Sequence, residues 1–303
     1  MGKIELEKLM NLIEKNRDVM VRDNVIGSDF STINLPINII VKIEPMMYYE
    51  FLTPKENATL SYIFIQNDFL TSGIGPEYAM IDFESPDGAN DDYIDFIEKM
   101  YEILRSNRVK LATAHTGNYG NIKYGIAGSI ALIASGKPIY GIHRLNDESS
   151  FFVMGKLGLE YMFFKDKIDK KKSIVQEKDL SISNILNEIK NIEVKVEYIH
   201  DIAEGGLIRS MEELSNYLGR GLRISENEMK DITPQELLYL KNDILSVSSS
   251  GSAIISVPRK EKENFKNYME GKVAEIEVVK EGLWLDNQRL VSKEDKLYEI
   301  LKK

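Results

Sequence analysis

Apolar positions along the chain switch between helical and strand-like spacing, and the switches outline the expected elements. Ile4, Leu6, Leu9, Met10, Leu12 and Ile13 recur at helical spacing before the turn-like NVIGSDF, which predicts a short amphipathic helix. NIIVKIE, Asn38 to Glu44, reads as a strand, and Pro45 is expected to end its ladder because it has no N–H to donate. After Pro54, ENATLSYIFIQNDFLTSG is nearly continuous apolar material with one polar break at Gln66-Asn67-Asp68. Leu60, Ile63, Phe64 and Phe69 or Leu70 recur about three and four apart there, the spacing of a buried helix. Asp87 to Asn107 predicts an amphipathic helix with Tyr93, Phe96, Ile97, Met100, Ile103 and Leu104 on one stripe, between strands at Tyr78–Phe83 and Lys110–Ala114. NIKYGIAGSIALIASG supplies a further strand that stops at a Ser-Gly-Lys-Pro turn.

LNDESS, near Leu145 to Ser150, interrupts the pattern and marks the expected boundary between domains 1–148 and 149–303. FKDKIDKKK reads as a solvated surface connection. A helix over Ser181–Lys190 is followed by the strand VKVEYI, Val194 to Ile199, then His200-Asp201, a two-glycine turn and a helix from Leu207 to Leu218. ITPQELLYLKND is expected to be helical, with the Thr233 hydroxyl as its cap and Pro234 in its first turn. GSAIISVP and RKEKENFKNYM add a strand and a helix. Both halves mix the two element types, so the fold class is α+β.

Composition narrows the chemistry. The 303 residues carry 39 Lys plus Arg against 48 Asp plus Glu, a net charge of −9, with 43% hydrophobic and 29% charged residues, the balance of a folded globular chain. No apolar stretch approaches the roughly 20 residues that span a bilayer, and the first residues lack a secretory core, so no membrane association and a cytoplasmic location are expected. The acidity argues against nonspecific nucleic-acid binding. With no cysteine, thiolate nucleophiles and Cys-based metal sites are excluded, and three histidines make a polyhistidine zinc site a poor expectation. A metal would be held by oxygen, as magnesium is.

Candidate chemistry falls in several segments. In IHDIAEGGLIRSMEEL a strand delivers His200 and Asp201, Gly205 and Gly206 permit close backbone approach, and the next helix aims free N–H groups at the turn, an arrangement suited to phosphate. A turn that merely needs flexible glycines explains the same residues. ATAHTGNYG places His115, Thr116 and Gly117 just beyond a predicted strand, where imidazole and hydroxyl can reach phosphate oxygens, or where His115 is structural. Asn67-Asp68 lies in apolar surroundings, where a carboxylate is either well hydrogen-bonded or a metal ligand. Asp29 and Glu44 are further acids at loop or strand ends, and together such acids suit a magnesium cradle.

In order, these segments resemble the superfamily of aminoimidazole ribonucleotide synthetase, selenophosphate synthetase, thiamine monophosphate kinase and the hydrogenase maturation protein HypE. The resemblance rests on His200-Asp201-Ile202-Ala203-Glu204-Gly205-Gly206-Leu207, on Ala114-His115-Thr116-Gly117, on Asn67-Asp68 followed by Gly73, Gly75 and Pro76, on VMGKLG at Val153–Gly158, and on SSSGSAIISVP. It implies a PurM-like two-domain architecture, an N-terminal mixed α/β dimerisation domain and a C-terminal α/β sandwich, that binds ATP with Mg2+ and forms a homodimer. By the same resemblance, Asp29, Glu44, Asp68 and Asp201 hold magnesium, and Asn67, Asp68, His115, Thr116, Gly117, Gly205 and Gly206 hold the nucleotide. Asp201 and His115 are then the expected catalytic residues. The chain departs from the pattern at Gly27-Ser28-Asp29, where a second aspartate is replaced, at Glu44, where several members carry aspartate, and at Ala114, where glycine is common. The expected function is ATP- and magnesium-dependent phosphorylation or activation of an oxygen on a small substrate. The alternatives are a nucleotide-binding regulator or maturation protein with little turnover, and a structural dimeric interaction protein.

Overall fold

The computed structural model describes residues 31–34, 36–85, 91–117 and 125–302. The helix expected at Ile4–Ile13 and the Gly27-Ser28-Asp29 segment lie outside them. The chain divides into two compact units at Pro138/Ile139.

The first unit is built on a five-stranded sheet of β1 (Ser31–Asn34), β2 (Asn38–Met47), β3 (Tyr78–Glu84), β4 (Lys110–Gly117) and β5 (Ile126–Ser135), in the order β1-β2-β5-β3-β4. Only β3 and β4 run parallel, because the helix α2 (Asp91–Ser106) supplies the crossover between them. The other helix, α1 (Pro54–Leu70), starts at a complete capping box: the Thr53 hydroxyl accepts from the Glu56 N–H at 3.2 Å, and the Glu56 carboxylate accepts from the Thr53 N–H at 2.8 Å. As its sequence predicts, α1 is buried around most of its circumference, including Leu60, Tyr62, Ile65, Asn67 and Phe69. The core lies between these helices and one sheet face, where Ile40, Met46, Ile81, Phe83, Ile130 and Leu132 meet Phe69, Phe96 and Met100. Phe96 stacks on Tyr93 at 5.6 Å and meets Phe83 edge-on at 6.5 Å.

Pro45 does not end β2. It stays in register opposite Ser129, and the strand continues to Met47 across a bulge, which absorbs the missing N–H.

The second unit carries a seven-stranded sheet of β6 (Ser149–Met154), β7 (Tyr198–Asp201), β8 (Gly221–Ile224), β9 (Ala253–Pro258), β10 (Val273–Val279), β11 (Leu283–Leu285) and β12 (Gln288–Leu290), in the order β12-β11-β8-β10-β6-β9-β7. It is antiparallel except where β11 runs alongside β8. β6 is buried at every position and β9 at all but its last, as central strands covered on both faces are. The helices are α3 (Leu159–Ile168), α4 (Ser183–Lys190), α5 (Gly206–Leu218), α6 (Glu226–Ile232), α7 (Lys262–Tyr268) and α8 (Leu297–Leu301). Part of FKDKIDKKK is thus the end of α3 rather than a connection. β7 is shorter and later than the expected Val194–Ile199, and it includes Asp201. Thr233 caps nothing downstream: its hydroxyl donates to the Met229 carbonyl at 2.8 Å and closes α6, while Gln235–Ser246 forms 3-10 turns kinked at Lys241.

Candidate functional site

In the first unit the expected site residues separate. Glu44 shares the helix-covered face of β2 with Lys42, two residues back along the strand. Asp68 reaches the same place from the last turn of α1, and the Lys42 ammonium joins the two acids: Nζ is 2.7 Å from Glu44 Oε1 and also contacts Asp68 Oδ2. Burial would lower the Lys42 pKa, but the Asp68 and Glu44 carboxylates outweigh it and hold the ammonium above the usual lysine value. Burial raises the Glu44 pKa, with the neighbouring Asp68 adding to the rise and Lys42 opposing it.

His115, Thr116 and Gly117 lie within β4 rather than in a loop beyond it. Successive strand residues face opposite ways, so His115 and Thr116 do not share a face. His115 is level with Asp82 of β3, and Thr116 with the buried Phe83. Since Phe83 marks the helix-covered face, His115 stands on the other face from Lys42, Glu44 and Asp68, at the far edge of the sheet from β2. Asp82 Oδ1 is buried there and has no hydrogen-bond partner among the described residues.

In the second unit three segments singled out in the sequence do converge. Asp201, buried at the end of β7, is paired with Ala253, and the Ile202 N–H donates to the Ser252 carbonyl at 2.9 Å. Gly155 lies against the Gly251 carbonyl so closely that an added Cβ would stand 2.7 Å from it. The Gly158 N–H donates to Ser249 Oγ at 2.8 Å. Glu160, in the first turn of α3, accepts from the Ser250 hydroxyl at 2.7 Å and the Ser250 N–H at 3.3 Å. Burial pushes its carboxyl up to about 7, with the Asp295 and Glu204 carboxylates adding to the rise and the Ser250 hydrogen bonds resisting it. His200 is buried, stacked on Tyr198 at 6.0 Å, with Nε2 3.4 Å from a Glu213 carboxylate that also accepts from Arg209 at 3.0 Å.

The two glycines of the turn have intramolecular explanations. The Gly205 N–H donates to Asp295 Oδ2 at 2.7 Å. Gly206, at φ +64°, packs on the chain itself, where a Cβ would lie 2.6 Å from the Leu245 and Val247 carbonyls. Neither Glu160 nor Asp295 is visible as a site residue in the sequence, because the loop groups they hold, Ser250 for Glu160 and Gly205 and Ser248 for Asp295, lie 90, 90 and 47 positions away. Beside the Gly155–Gly251 contact is a cavity of about 530 Å³, with Met154, Met162 and Val175 in its apolar wall and Asp179, Asn184 and Lys272 among its polar lining.

The donor set bears on the expected magnesium. The space between Glu44 and Asp68 is taken by an ammonium, and among the described residues no three His, Asp or Glu side chains are grouped to hold a metal ion. Those two acids therefore do not fit a protein-held cation.

The second unit is an acid-bearing mixed α/β domain whose glycine loops meet at the ends of β6, β7 and β9. Residues 154–282 match the family model described as AIR synthase related protein, C-terminal domain. No curated protein matches the sequence. The fold is shared with solved structures of low identity. HypE from E. coli, a hydrogenase maturation protein, is 18% identical with a TM-score of 0.68, over 87% of this chain and 88% of that one. Thiamine monophosphate kinase from Aquifex aeolicus is 15% identical with a TM-score of 0.69, over 95% of this chain and 99% of that one. A structure titled AaThiL complexed with AMPPCP and TMP is 16% identical with a TM-score of 0.70, over 97% and 98%. Among the described residues no helix is long and apolar enough to cross a membrane.

Proposed function

We propose that this protein is a nucleotide-dependent enzyme that uses ATP to phosphorylate or activate an oxygen of a small substrate. The observation that carries the reading is the meeting of the Gly155–Glu160, Asp201–Gly206 and Ser248–Ser252 loops inside the family-matched domain. A similar fold has been crystallised with AMPPCP and TMP, and another with ATP. In this reading Asp201 and Glu204 face the transferred group, and Glu160, with a carboxyl titrating near 7, is suited to exchange a proton at neutral pH. Positioning of the two reactants supplies much of the acceleration. Magnesium arrives as the counter-ion of the nucleotide, and no step is assigned to it at Glu44 or Asp68.

Calorimetric titration with ATP in the presence of magnesium, followed by an ADP-release assay over candidate acceptors, tests the proposal. Asp201→Asn, which removes a carboxylate charge that the nucleotide's magnesium would meet, is expected to weaken nucleotide binding in the presence of magnesium by about tenfold or more. Unchanged affinity would count against the assignment. A nucleotide-binding protein with little turnover is the second reading, and the Lys42 bridge favours it, because two expected metal ligands are already engaged.

The same reading includes a homodimer formed through the sheet of the first unit. Ile43, Ala131 and Met80 lie level across β2, β5 and β3, as do Val41, Ile133 and Tyr78. Ile43 is 66% exposed, Tyr78 41% and Met80 39%, an apolar face of the kind that a second copy covers.

A further inference from the structure

We propose that the Lys42 ammonium takes the place of a divalent cation between Glu44 and Asp68, so that this acid pair binds no metal and has its charge offset in part by the chain itself. The geometry of the three side chains is independent of the nucleotide reading. Lys42 and Glu44 project from the same face of β2, and Asp68 faces them from the end of α1, so the three side chains are positioned by two elements of the core. The ammonium lies 2.7 Å from Glu44 Oε1 and in contact with Asp68 Oδ2, with side chains only 21%, 33% and 15% exposed for Lys42, Glu44 and Asp68. A magnesium ion shared by those carboxylates would sit about 2.1 Å from an oxygen of each, in the volume that Nζ now fills. Its entry would require Lys42 to leave, and a lysine swung from this position gives up both of its charge partners while its stem stays packed beside the strand. With Lys42 gone, an ion there would meet two carboxylates and fill its other positions with water, since no third described acid or histidine joins the pair. One ammonium against two carboxylates offsets one of the two negative charges.

The test uses the full chain and Mn2+ alone, with bound and free ion distinguished by electron paramagnetic resonance. Wild type, Glu44→Gln, Asp68→Asn and Lys42→Met are compared. If the proposal holds, Glu44→Gln and Asp68→Asn bind Mn2+ like the wild type, within about twofold. Lys42→Met, which keeps the apolar stem and removes the charge, gains one Mn2+ over the wild type. A loss of Mn2+ affinity of about tenfold or more in Glu44→Gln, the size expected when metal binding is disturbed, overturns the proposal. So does a folded Lys42→Met that gains no ion. Should Lys42→Met fail to fold, the two carboxylate variants decide the question alone, and a nucleotide titration on the same samples shows separately whether ATP binding survives.

Discussion

Asp295 holds the second unit's glycine turn from a segment near the end of the chain, and its removal should be costly. Its Oδ2 accepts from the Gly205 N–H at 2.7 Å and the Ser248 hydroxyl at 2.6 Å, and its Oδ1 from the Ser248 N–H at 3.2 Å and the Leu297 N–H at 2.8 Å. The residue is 3% exposed, so water does not already share these donors. Asp295→Ala strands three backbone donors and a hydroxyl. A buried donor left without an acceptor costs about 1–3 kcal/mol, and allowing for rotation of the hydroxyl and some entry of water, the expected loss is about 4 kcal/mol. Urea unfolding followed by fluorescence of the single tryptophan, Trp284 in β11, reads the unit directly. With a denaturant slope of about 2 kcal/mol/M, the midpoint should fall by about 2 M. Glu294→Ala, next door and exposed, should leave the midpoint in place. A fall of less than about 0.5 M in Asp295→Ala, at unchanged slope, would refute the claim that this carboxylate holds the turn.

Four further outcomes follow from the geometry. Glu160 titrates near 7 in the folded chain against 4.5 unfolded, so its folded form keeps its proton longer; relative to Glu160→Gln, the wild type should lose about 3 kcal/mol of stability as pH rises from 4.5 through 7, measured by urea unfolding at pH 4.5 and 8. A difference that stays flat with pH would show that the carboxyl is not shifted. Thr53→Ala removes the capping hydroxyl of α1 and should cost about 1 kcal/mol in thermal or chemical unfolding, with Thr53→Ser close to wild type. Gly206→Ala forces a side chain into a left-handed backbone and onto two carbonyls, and should cost at least about 3 kcal/mol, whereas an alanine tolerated there would contradict the packing. Ile43→Glu places a charge in the exposed apolar face of the first unit's sheet; if that face joins two copies, sedimentation velocity should shift from dimer towards monomer.

Much of the first unit was legible because its signals are local. The apolar run after Pro54, broken only at Gln66-Asn67-Asp68, announces α1, and the stripe from Tyr93 to Leu104 announces α2. Pro45 misleads because a proline is normally a stop, and only pairing with β5 reveals the bulge that accommodates it. His115 looks like a loop residue because β4 is an edge strand with most positions exposed, which erases the alternation that would identify it. The site is less legible still. HDIAEGGL, VMGKLG and SSSG can each be read in the sequence, but what joins them is a set of hydrogen bonds between distant residues, such as Ser250 to Glu160 and Gly205 to Asp295. Lys42 and Glu44 are visible as a same-face pair in a strand, yet the third member, Asp68, enters only when α1 packs onto β2.

The Lys42 bridge also changes what the protein depends on in its surroundings. An ion drawn from solution has a dissociation constant, can be stripped by a chelator and varies with supply, whereas a cation attached to the backbone is delivered with the chain at synthesis and is always present at one per molecule. Charge balance at the end of α1 is thereby inherited with the sequence, and a single codon change, rather than a shift in ion concentration, is what would undo it.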